Sequence, residues 1–247
     1  MSMVLAAITL GVATPAAAQP RQQPNGLSWG ELAMLPEYCK DAAGIVYGDR
    51  YFNRAPNAGR WESAMGMDFW HIHHYCYALN NLRRANFTTN PAAKKALLEK
   101  VRNDYGYMVN NSRPEMVLMP EILTRLGDVQ NMLGDVGAAF EAYEAAMARK
   151  PDYWPAYKNS ADMFLKAGVK PRGLEILQRG IAANPGAVEL RDAYKVAGGD
   201  MARLPPLPGP ASPESANAPK APASAAEAPA TAAPAVPTAP APAASSP

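Results

Sequence analysis

The chain has 247 residues, with 24 Lys plus Arg against 22 Asp plus Glu. A balance this even leaves no basic stripe for a polyanion, so nucleic acid is excluded as the expected partner. Two cysteines and three histidines are the whole stock of thiol and imidazole side chains.

Residues 1–18 hold an apolar stretch from Val4 to Val12, then Pro15-Ala16-Ala17-Ala18. A short apolar run ending in small residues is what a signal peptidase reads, so a secretory signal cleaved after Ala18 is expected. No Lys or Arg precedes the run, which departs from the usual signal. The run falls short of the ~20 residues that a helix needs to cross a ~30 Å bilayer core, so the mature chain is expected to have no transmembrane helix. A periplasmic or secreted location follows.

Residues 19–67 read as an irregular cap segment. Ser28 and Glu31 have the spacing of a capping box for a short helix. Pro36 can open another short helix that carries Cys39. Over 68–113 a helical hairpin is expected. Its first helix is MDFWHIHHYCYALNNLRRANF, with Ile72, Cys76, Leu79 and Leu82/Arg83 on one stripe. Its second is PAAKKALLEKVRNDYGYMVNN, with Asn90 as cap and Pro91 in the first turn.

Cys39 and Cys76 are expected to be joined, since an exported chain with an even pair of cysteines most simply forms one disulfide. The rival reading is two buried free thiols packing as small hydrophobes.

His71, His73 and His74 form the one cluster that could carry chemistry. A metal site could use them, with Asp68 or Cys76 as a further ligand. On a helix turning ~100° per residue, however, His71 and His73 point about 160° apart, so all three cannot converge on one ion. His71 and His74 could share one only if another segment supplied the remaining ligands. The plainer reading has Ile72 and Cys76 facing the core, with the histidines flanking that stripe beside Trp70 and Tyr77. No cofactor is expected. G-x-S-x-G, P-loop, H-E-x-x-H, G-x-G-x-x-G and C-x-x-C patterns are missing from the sequence, so an enzyme is not expected.

Residues 114–198 contain an internal repeat. Gly127 and Ala161, Gly134 and Gly168, Ala139 and Gly173, Tyr143 and Leu177, Ala146 and Gly180, and Pro151 and Pro185 are each 34 residues apart. Small residues at Gly127/Ala161 allow the two helices of a pair to approach closely. Gly134/Gly168 can take positive φ and stop the first helix. Tyr143/Leu177 are expected to fill the gap between pairs, and Pro151/Pro185 to end the second helix. A further helix, with Leu190, Tyr194 and Ala197 on one face, ends at Gly198-Gly199. From 199 to 247 a disordered tail is expected; after Leu204 the sequence is nearly all Pro, Ala and Ser.

The period of 34, with six position classes in register, resembles the tetratricopeptide repeat (TPR) family. LPEYC, Trp61, Gly66 and FWHIHHYCYALNNLRRA are similar to a front segment of secreted proteobacterial TPR proteins, a likeness that carries no activity with it. The resemblance implies an all-α solenoid of helix hairpins whose concave groove binds a protein or peptide. The implied exposed groove positions are Thr124, Asp128 and Asn131 in one repeat and Lys158, Asp162 and Leu165 in the next. Asp128 and Asp162 stand where the carboxylate clamp of chaperone-binding TPR domains has Asn, so an acidic C-terminal peptide is not the implied ligand.

Overall fold

The computed structural model describes residues 27–42, 45, 55 and 57–207. The expected signal (1–18), parts of the cap segment and residues 208–247 of the expected tail lie outside the described residues. All regular structure among the described residues is helical.

Two short helices open the front: α1 (Trp29–Ala33) and α2 (Tyr38–Asp41). The Ser28–Glu31 capping box forms, with Ser28 Oγ accepting from the Glu31 N–H at 3.2 Å and Glu31 Oε2 accepting from the Ser28 N–H at 2.9 Å. Such a box satisfies two orphan N–H groups, which matters most in a helix of five residues that buries only Leu32. Helix α3 (Ala58–Met65) ends at Gly66, which has φ of +71°.

The expected long helix after Gly66 begins differently. Residues Gly66–His71 form a 3-10 turn, and α4 runs from Ile72 to Phe87. This turn is tied to a residue 45 positions away. Asp68, almost wholly buried, accepts from the Arg113 backbone N–H at 3.1 Å and from its Nε at 3.0 Å. Helix α4 buries Ile72, Tyr75, Cys76, Ala78 and Ala85, while Leu79 and Leu82 are half-buried. Helix α5 (Pro91–Asn111) starts as expected, with Asn90 Oδ1 accepting from the Ala93 N–H at 3.0 Å. It packs along α4.

Cys39 and Cys76 are joined by a disulfide with a Cα–Cα distance of 5.7 Å, and both are fully buried. The bond ties α2 to α4. Closing a loop with a sequence separation of 37 is worth roughly 4 kcal/mol in the chain-entropy account. Beside it, Asp41 accepts from the Trp61 indole N–H at 2.9 Å, joining α2 to α3.

The repeat yields two hairpins of the same build: α6 (Met119–Met132) with α7 (Val136–Arg149), and α8 (Trp154–Lys166) with α9 (Lys170–Ala183). Both ends of α9 lie 34 residues after those of α7. Gly134 and Gly168 close the first helix of each pair at φ of +87° and +78°, values that side chains with a Cβ rarely adopt.

Close approach explains other small residues. A Cβ on Gly127 would sit 2.7 Å from the Tyr143 ring, and one on Gly173 would sit 2.6 Å from Leu165 Cγ. Tyr143, expected between pairs, therefore sets its ring against Gly127 of its own pair. Leu177 is fully buried. Helix α10 (Val188–Val196) covers α9 with Leu190 and Tyr194. The expected tail at 199–247 begins too early: Met201–Arg203 form a 3-10 turn, Leu204 packs on the core and the Arg191 guanidinium donates to the Pro205 carbonyl at 2.6 Å.

Candidate functional site

Helices α6 and α8 lie side by side and carry all six expected groove residues. Lys158 and Asp162, one turn apart on α8, form an ion pair at 2.9 Å with each side chain about one-third exposed. Asn131 on α6 is half-buried. All three are partly exposed.

The other three are used by the fold. Thr124 is only 3% exposed, and its hydroxyl donates to the Pro120 carbonyl at 2.8 Å, so it is not an exposed groove position. Leu165 rests over Gly173 of α9 and is half-buried. Asp128 accepts from the Tyr143 hydroxyl at 2.7 Å and from the Asn159 amide at 3.1 Å on both oxygens. That carboxylate latches α7 and α8 to α6. Burial pushes its pKa up, while the Tyr143 and Asn159 hydrogen bonds pull it down.

Next to this latch lies a buried ionic group. Glu121 accepts from the Tyr75 hydroxyl at 2.6 Å and from Arg125 Nε at 2.9 Å. Tyr75 is fully buried, and burial raises its pKa well above the ordinary value. The group fastens α4 to α6. Asn159, Glu121 and Arg125 were not singled out from sequence. Their i, i+4 and repeat spacing look like any solvated helix face; only the neighbouring helix gives them partners.

Each histidine has its own hydrogen-bond partner, although the His73 and His74 ring centroids lie 4.5 Å apart. His71 Nδ1 lies 3.1 Å from the Tyr107 hydroxyl, His73 Nδ1 3.0 Å from the Trp70 carbonyl and His74 Nδ1 2.8 Å from Asp104 Oδ1. His74 also stacks on Tyr107 at a centroid distance of 3.8 Å. Burial, then the neighbouring His74, lowers the His73 pKa to about 4. The two candidate extra ligands are taken: Cys76 by the disulfide and Asp68 by Arg113. Among the described residues, no group of three or more His, Cys, Asp or Glu side chains is placed to hold a metal ion.

Among the described residues, no helix is long and apolar enough to cross a membrane. Compared with known families and curated proteins, the chain matches no family model and no curated sequence.

Proposed function

We propose that this chain is a TPR-type interaction module, a scaffold or assembly factor of the periplasm, that binds a protein or peptide segment across α6 and α8. The observation that carries the reading is the pair of hairpins offset by 34 residues, with matching glycine stops and their first helices adjacent. Asn131, Lys158 and Asp162 are the contact residues, a set that suits an extended or helical segment of mixed polarity. The disulfide supports export into an oxidising compartment, with cleavage of the signal near Ala18. Mass spectrometry of envelope-fraction protein tests this, and an intact Met1 refutes it.

The binding test is a capture experiment from envelope extract with the full chain as bait. Lys158→Glu places two acids one turn apart and is expected to abolish capture of whatever the wild type retains, without changing helicity. The paired variant His71→Ala/His74→Ala is expected to capture normally. Loss with the histidine pair and retention with Lys158→Glu refutes the groove reading and favours a metal- or cofactor-binding role for His71, His73 and His74.

A further inference from the structure

The α4–α5 pair carries a recess of its own, separate from the α6–α8 face. It is a cleft of about 380 Å³, within the roughly 300–1,000 Å³ range of small-molecule sites. One side of α4 supplies His74, Tyr77, Asn80, Asn81 and Arg84, which share a face at helical spacing. Helix α5 supplies Lys100, Asn103 and Asp104, and Leu27 closes one edge.

Eight of the nine lining residues carry a polar group, and most of those groups are planar. Asn81 and Asn103 bring two carboxamides, each with a donor and an acceptor in one plane, the geometry that neighbouring hydroxyls of a sugar ring can answer in pairs. His74 Nδ1 is paired with Asp104 Oδ1 at 2.8 Å. Tyr77 adds an aromatic ring.

One atom in this wall is unfinished. Asn80 is 1% exposed and its Oδ1 accepts from Arg83 at 3.1 Å, but its Nδ2 has no hydrogen-bond partner. Buried polar groups are nearly always paired, so a donor lacking an acceptor at the wall of a polar cleft points to an oxygen that a ligand brings.

The charges are uneven too. Arg84 is held by Glu31 at 2.7 and 2.8 Å, and Asp104 is held by His74. Lys100 is exposed and meets no carboxylate among the described residues.

We infer that this cleft binds a saccharide carrying one carboxylate, with the ring hydroxyls on Asn81 and Asn103 and the carboxylate on Lys100. The inference is independent of the α6–α8 reading, because it uses a different pair of helices.

The test is an NMR titration of the full chain with three probes: N-acetylmuramic acid, N-acetylglucosamine and acetate. The first two share a ring and differ by a carboxylate-bearing arm; the third is the carboxylate alone. N-acetylmuramic acid is expected to shift α4 and α5 signals and to bind at least tenfold more tightly than N-acetylglucosamine, with acetate giving no saturable shift. Lys100→Gln is expected to bring the two sugars within about twofold of each other. Asn103→Ala is expected to weaken both at least tenfold. Both positions are exposed, so the variants should fold, and circular dichroism checks that. Lys158→Glu should bind the sugars as the wild type does. The inference is overturned if neither sugar shifts α4–α5 signals, if acetate binds as well as N-acetylmuramic acid, or if Lys100→Gln and Asn103→Ala bind like the wild type.

Discussion

Replacing Gly127 with Ala tests whether the α6–α7 hairpin is held by close approach. In an open helix interior the change gains about 1 kcal/mol from helix propensity. Here the new methyl would lie 2.7 Å from one Tyr143 ring carbon and 2.9 Å from two others, inside van der Waals contact. The ring cannot swing clear, because Tyr143 is 1% exposed and its hydroxyl is bound to Asp128 at 2.7 Å. Overpacking of this kind costs about 1–3 kcal/mol, and a trapped ring places the cost at the upper end. The net expectation is a loss of about 1–2 kcal/mol, or roughly 2–8 °C in Tm for a domain of this size. Gly106→Ala on α5 is the matched control, since nothing lies within 4 Å of a Cβ there. It should raise Tm by a few degrees. Thermal unfolding followed by far-ultraviolet circular dichroism measures both. Equal rises in Tm would refute the argument, because propensity alone would then account for both positions.

Non-reducing peptide mapping should recover Cys39 and Cys76 in one linked fragment; two alkylatable thiols in unfolded, unreduced protein would contradict the bond. The Cys39→Ala/Cys76→Ala variant should lose up to about 4 kcal/mol, and hydrogen exchange should rise first in the front segment and only later in residues 120–185. Acid should weaken the same front segment. The Arg84 hydrogen bond, with help from Ser28, lowers the Glu31 pKa from 4.5 to about 2. Its contribution is complete above pH 4.5 and is lost as pH falls toward 2, so Tm should drop more steeply across that window for the wild type than for Glu31→Gln. Superimposable curves for the two proteins would remove Glu31 from the account.

The sequence by itself determined what depends on residues close together in the chain. The Ser28–Glu31 box spans three residues, as does the Asn90 cap, and both form. Gly134 and Gly168 were legible as helix stops because only glycine takes positive φ without strain, and both take it. The 34-residue period was legible because each hairpin repeats the same local solution, so its element boundaries recur in register. The tertiary structure alone decided which polar residues are spent inside the fold. Asp128 looked like a groove residue until Asn159, 31 residues on, was found bonded to it. Glu121 and Tyr75 meet across 46 residues, and Asp41 and Trp61 across 20. Asp68, in the 3-10 turn that replaces the expected first turns of α4, meets Arg113 across 45 residues. Periodicity shows which face of a helix is apolar. It carries no information on which distant side chain will face a polar residue there, and that pairing separates a buried latch from an exposed contact.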